Sequence, residues 1–93
     1  MMKSPCHPGE ILADALQELN LTPYALAKIL EIPRTRIERL TARKTSVTPD
    51  TALRLAKHFG TTPHYWMNMQ VNYDISRVTD ITDLSGIPDS TAA

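Results

Sequence analysis

Apolar residues along this chain fall into five helical stripes, each with a proline at its start. Leu12, Ala15, Leu16 and Leu19 repeat at the i, i+3, i+4, i+7 interval of a helix with one buried face, and Glu10, Asp14, Gln17 and Glu18 take the other side. The pattern predicts a first helix from about Gly9 to Asn20. A second is predicted from Pro23 to about Leu30, with Leu26, Ile29 and Leu30 inward, and a third from Pro33, with Ile37 and Leu40 inward. The fourth runs from Pro49 to Phe59 on the stripe Ala52, Leu55, Ala56 and Phe59. Gly60 stops it, because glycine accepts the left-handed conformation past a helix end. The fifth runs from Pro63 to about Tyr73, with Trp66, Met69 and Tyr73 on one face.

The prolines read as helix starts because proline suits the first helical position and a threonine before it makes a good N-cap. Three such pairs occur, Thr22-Pro23, Thr48-Pro49 and Thr62-Pro63, and Pro8 and Pro33 open the other two stripes. No period-two strand pattern precedes residue 74, so the expected fold is all-α: a five-helix domain with a short C-terminal tail. In the tail Ile75, Val78, Ile81, Leu84 and Ile87 recur every third residue among Asp, Ser and Thr. Such a repeat drifts around an α-helix, and the intervening residues are weak helix formers. An extended arm, a short helix and a disordered end all remain open. The expected division is a helix-turn-helix domain over residues 1–74 and an acidic tail, extended or partly disordered, over residues 75–93.

The second and third helices make the functional argument. Two short helices joined by a tight turn can cross nearly perpendicular only over a small residue, which Ala27 supplies. With Ile37 and Leu40 inward, the third helix turns Arg34, Thr35, Glu38 and Arg39 outward and Arg36 to the flank. Such a helix fits the major groove, where arginine reads guanine and threonine meets a thymine methyl. Arg43, Lys44 and Thr45 follow in a loop suited to phosphates, and Thr48 opens a helix N-terminus suited to another. Thr22, at the start of the second helix, completes the expected DNA-facing set.

Charge sharpens this reading. The net charge of the 93-residue chain is zero, yet half of its Lys and Arg lie between Arg34 and Lys44, opposed there only by Glu38. After Asp74 the only basic residue is Arg77. The chain is thus divided into a basic patch and an acidic tail. Cys6 is the single cysteine, so no intrachain disulfide forms and a reducing cytoplasm is expected. The N-terminus has no signal-peptide core, and no apolar run approaches a membrane span. His7, His58 and His64 are too scattered to suggest a metal site, and no catalytic constellation or phosphate-cradling glycine loop is present. A protein that is not an enzyme, with no metal or cofactor, is expected.

Several stretches together resemble the HigA-type antitoxins of the phage-repressor-like (XRE) helix-turn-helix superfamily. They are His7-Pro8-Gly9-Glu10-Ile11-Leu12, Leu26-Ala27, Arg36-Ile37, the run from Thr48 to Ala56, Phe59-Gly60-Thr61, Trp66-Met67-Asn68-Met69-Gln70 and Tyr73-Asp74. The resemblance covers roughly residues 7 to 74. It implies a five-helix fold, a homodimer, binding to double-stranded operator DNA for autorepression, and neutralisation of a small basic RelE-like toxin that cleaves mRNA. A stand-alone transcriptional regulator of the same fold is the alternative. The chain departs from the pattern at Glu31, where the turn usually has glycine, and at Pro23, often Gln. It also departs at Ala42-Arg43-Lys44-Thr45, commonly Asn-Gly-Lys-Arg. A two-fold dimer needs a self-complementary apolar patch away from the DNA. The fifth helix, with Trp66, Met67, Met69, Gln70 and Tyr73, is expected at or beside that interface. Met67 lies on a different face from Trp66, Met69 and Tyr73, and which face meets the core is open, Trp66 in the core with Met67 at the partner being one arrangement.

Overall fold

The computed structural model describes residues 5–92. The first four residues of the expected domain and the last residue of the tail lie outside the described residues. Five α-helices follow one another: α1 (Pro8–Glu18), α2 (Pro23–Leu30), α3 (Arg34–Thr41), α4 (Pro49–Phe59) and α5 (Pro63–Thr79), with a single 3₁₀ turn at Ser90–Ala92. No strand occurs among the described residues.

Four helices start as the prolines predict. The side chains of Thr22, Thr48 and Thr62 accept hydrogen bonds from the backbone N–H of Ala25, Thr51 and Tyr65. His7 does the same for α1, its Nδ1 accepting from Gly9 N–H at 2.9 Å. Pro33 differs from expectation: it is the residue before α3, with ψ 143° and no side-chain cap. The chain leaves α2 through a left-handed turn and needs one extended residue before it can coil again.

Helix ends share one device. Asn20, Glu31, Arg43 and Gly60 all have left-handed backbone, with φ between 58° and 70°. After each, the next N–H reaches back to close the helix: Leu21 to the Leu16 carbonyl, Ile32 to Ala27, Lys44 to Arg39 and Thr61 to Ala56. Only one of the four is glycine. Glu31 and Arg43 stand where the resemblance expects glycine and adopt the glycine conformation nonetheless.

The core is formed by Leu12, Leu16, Leu26, Ala27, Leu30, Ile37, Leu40, Val47, Ala52, Leu55, Ala56 and Trp66. Ala27 is buried at the α2–α3 crossing as expected. Two residues expected inside are not. Leu19 is 55% exposed because α1 ends at Glu18 and Leu19 falls past the helix stripe, and Leu21 packs on the core in its place. Ile29 is 48% exposed because Leu26, Ala27 and Leu30 already form the inner face of α2. Phe59 is only partly buried.

α5 also runs past the expected end at Tyr73, so residues 75–79 of the expected tail are helical. Pairs one turn apart carry it on. Gln70 Nε2 donates to Asp74 Oδ1 at 3.0 Å, the Arg77 guanidinium lies over the Tyr73 ring, and Thr79 Oγ1 donates to the Ile75 carbonyl at 2.7 Å.

Candidate nucleic-acid interface

Burial of Ile37 and Leu40 fixes the rotation of α3, and Arg34, Thr35, Arg36, Glu38 and Arg39 are all exposed. The first turn of α3 and the start of α4 enclose a groove of about 450 Å³. Thr35, Arg36 and Arg39 line it from α3, Thr45 from the loop, and Thr48 from the α4 cap. Five of the ten expected DNA-facing residues thus share one concave surface.

The other five are placed differently. Arg34 Nε lies 3.6 Å from Glu38 Oε1 one turn along α3, both side chains exposed outside this groove. Arg43 turns toward α1, with Nη1 3.2 Å from Glu10 Oε1. Arg43 and Lys44 line a separate polar recess of about 160 Å³ beside His7, Gln70, Tyr73 and Arg77. Thr22 spends its hydroxyl oxygen on the α2 cap, accepting from Ala25 N–H at 3.1 Å.

A brace holds the groove open. Asp50, in the first turn of α4, accepts from both Arg36 of α3 and Arg54 one turn further along α4. Those two partners, Arg54 first, hold its carboxyl below the usual carboxylate range. Arg54 also donates through Nη1 to the Leu30 carbonyl at 2.7 Å, satisfying the open end of α2. One carboxylate and two guanidiniums therefore tie α2, α3 and α4 together. Sequence reasoning missed Asp50 and Arg54; the only local signal was their i, i+4 spacing. Arg39 and Lys44, by contrast, form no salt bridge among the described residues.

The loop behind the groove is anchored from α5. Val47 N–H donates to Gln70 Oε1 at 2.9 Å, and both residues are buried. His7 meets Tyr73 edge-to-face, ring centroids 4.9 Å apart. Burial pushes its imidazole pKa below the ordinary value, against the opposing pull of a hydrogen bond to the Thr45 backbone and of nearby Asp74 and Glu10.

Of the five α5 residues expected at or beside a dimer interface, two are buried within the chain itself. Trp66 and Gln70 are 3% and 4% exposed within one chain, so they belong to its own core. Trp66 Nε1 donates to Thr61 Oγ1 at 2.8 Å. Met67, Met69 and Tyr73 are partly buried. The outer face of α5 instead presents Val71, Ile75 and Val78, each about half exposed, in line with Met67 at four- and three-residue steps.

His58 and His64 are exposed, and no cluster of metal-ligating residues occurs among the described residues. No described helix is long and apolar enough to cross a membrane.

A helix-turn-helix family model (HTH_3) matches residues 12–66. Virulence-associated protein I of Dichelobacter nodosus is 43% identical over 70 residues, which is 74% of this chain and 65% of that protein. Among solved structures, an addiction module antidote protein of the HigA family from Coxiella burnetii is 48% identical, covers 84% of this chain and 86% of its own, and superposes with a TM-score of 0.81. The Pseudomonas aeruginosa antitoxin HigA, solved with the higBA promoter, is 34% identical, covers 82% and 84%, and has a TM-score of 0.78.

Proposed function

The chain belongs to the helix-turn-helix family, and on that footing we propose that it is an antitoxin that represses its own promoter as a homodimer and neutralises an mRNA-cleaving toxin. The observation that carries the DNA-binding part is the braced groove, where Thr35, Arg36, Arg39, Thr45 and Thr48 converge from three segments. Phosphate contacts from the loop and the α4 cap set the register, and the outer side chains of α3 read base edges. Arg36 and Arg39 contribute unequally. A phosphate reaching Arg36 displaces Asp50, so the net gain is the difference between two ion pairs. Arg39 has no such partner and contributes its attraction undiminished.

One helix of this length covers too little DNA for tight specific binding, and dimers read two half-sites roughly 34 Å apart. Met67, Val71, Ile75 and Val78 form the apolar stripe for that pairing. Ile75→Asp is expected to give a monomer with unchanged helical content and a steep loss of operator affinity, measured by light scattering and fluorescence anisotropy. A monomeric unmodified chain at micromolar concentration counts against the dimer.

The toxin part rests on the similarity to HigA-family antitoxins. The test is co-expression with the product of the adjacent reading frame. A stable complex in which that product no longer cleaves mRNA supports the antitoxin. Tight binding to the chain's own upstream DNA, with no complex formed, points to a stand-alone regulator.

A further inference from the structure

The C-terminal halves of α2 and α4 enclose a second groove, about 490 Å³ in volume and lined by Ile29, Leu30, Leu53, Arg54, Lys57 and His58. Core residue Leu30 forms its floor, and two of its apolar walls are residues that the core does not use: Ile29 is 48% exposed and Leu53 60%. Its ionisable lining is entirely basic. None of its lining residues lines the DNA-facing groove.

The segment after α5 has the complementary character. Ile81, Leu84 and Ile87 are 85%, 59% and 68% exposed, and Asp80, Asp83 and Asp89 lie between and around them with no basic residue. Local bonds shape this segment although it packs on nothing. Ile87 N–H donates to the Leu84 carbonyl at 3.0 Å, and the Asp83 and Asp89 carboxylates accept from Ser85 and Thr91 N–H. α5 begins next to the groove's end of α4, and its 17 residues then carry the chain about 25 Å away before the tail starts.

We propose that residues 80–89 of one copy of this chain dock in the α2–α4 groove of a second copy. Ile81, Leu84 and Ile87 cover Ile29 and Leu53, and the aspartates face Lys57 and His58, Arg54 being already paired with Asp50. The pairing is apolar against apolar and acidic against basic, and it requires neither DNA nor a toxin, so it stands or falls separately from the function proposed above.

The test uses the full chain with Cys6→Ser as background. Leu53→Cys and Leu84→Cys variants, each at a position more than half exposed, are mixed without DNA under mild oxidation. A disulfide joining position 53 of one chain to position 84 of the other, identified by peptide mass spectrometry, is expected. Adding Lys57→Glu to the groove partner abolishes it, and Asp83→Lys on the tail partner restores it. Three results overturn the proposal. One is cross-linking no greater than between Leu19→Cys and Leu84→Cys, a pair of similar exposure with position 19 outside the groove. Another is a link found only within single chains carrying both Leu53→Cys and Leu84→Cys. The third is tail docking that appears only when a basic partner protein is added.

Discussion

Replacing Gly9 with alanine isolates the contact on which α1 and α3 depend. Gly9 sits in the first turn of α1, where helical geometry suits any residue, and on propensity alone alanine stabilises that position by about 1 kcal/mol. Packing reverses the sign. A Cβ on Gly9 meets the Leu40 carbonyl oxygen at 1.8 Å and its carbon at 2.8 Å. Both are backbone atoms near the end of α3, and the same carbonyl accepts from Arg43 N–H at 3.0 Å, so it cannot swing aside without opening that turn. α1 must therefore retreat by more than about 1 Å from a core in which Leu12 and Leu40 are almost fully buried. Overpacking of this kind costs about 1–3 kcal/mol. Disturbing the His7 cap on Gly9 N–H adds about 1 kcal/mol. Less the propensity gain, the loss comes to about 1–3 kcal/mol. For a domain of this size that lowers Tm by roughly 4–24 °C. Thermal and urea unfolding followed by circular dichroism measure it, with Gly86→Ala, which meets nothing, as the neutral control. A Gly9→Ala protein as stable as the parent, or more so, refutes the close approach.

Three further outcomes are expected. Glu31→Gly relieves a left-handed non-glycine residue and stabilises by about 1 kcal/mol, read as a higher urea midpoint with unchanged slope; no gain places the strain elsewhere. Burial lowers the pKa of His7 in the folded state, so as pH falls below about 6.5 the unfolded chain takes the proton first and stability declines. His7→Asn keeps an N-cap and removes that part of the slope, and an unchanged pH profile rules out His7 as its source. Arg39→Ala costs about 1–3 kcal/mol of operator affinity if it reads a base, and more than Arg36→Ala, whereas Lys44→Ala weakens binding to all sequences alike and flattens the salt dependence. Equal losses at Arg36 and Arg39 contradict the role assigned to Asp50.

Where both ends of a helix carry a local chemical signal, the sequence was enough. The limits of α2 and α4 fall where Thr-Pro starts and the apolar stripes put them. The end of α5 was harder, because Asp74 and the Ser- and Thr-rich residues after it look like a break, while the pairs one turn apart that sustain the helix are visible only once it exists. Periodicity placed Ile37 and Leu40 correctly and thereby oriented the outer face of α3. It failed at Leu19, which lies past a helix end, and at Ile29, which a crossing neighbour leaves outside. Arg36 and Arg43 belong to the expected DNA-facing set; their partners Asp50 and Glu10 lie 14 and 33 positions away, and no local pattern announces them. Gln70 was assigned to a subunit interface, yet its partner is a backbone amide, which any residue at position 47 other than proline supplies.

The bond from Val47 N–H to Gln70 sets the timescale on which the loop before α4 can change shape. Loop amides ordinarily exchange their hydrogen with solvent through small local openings. This amide is sealed beneath a buried side chain of α5, so deuterium enters only when α5 lifts from the body of the domain. Val47 should exchange at a rate near that of the core helices, while Lys44 and Thr45, a few residues away and exposed, exchange early. The segment proposed to meet phosphate is thus free to adjust at its exposed tip over a fixed root. Its base keeps one shape for as long as the domain is folded.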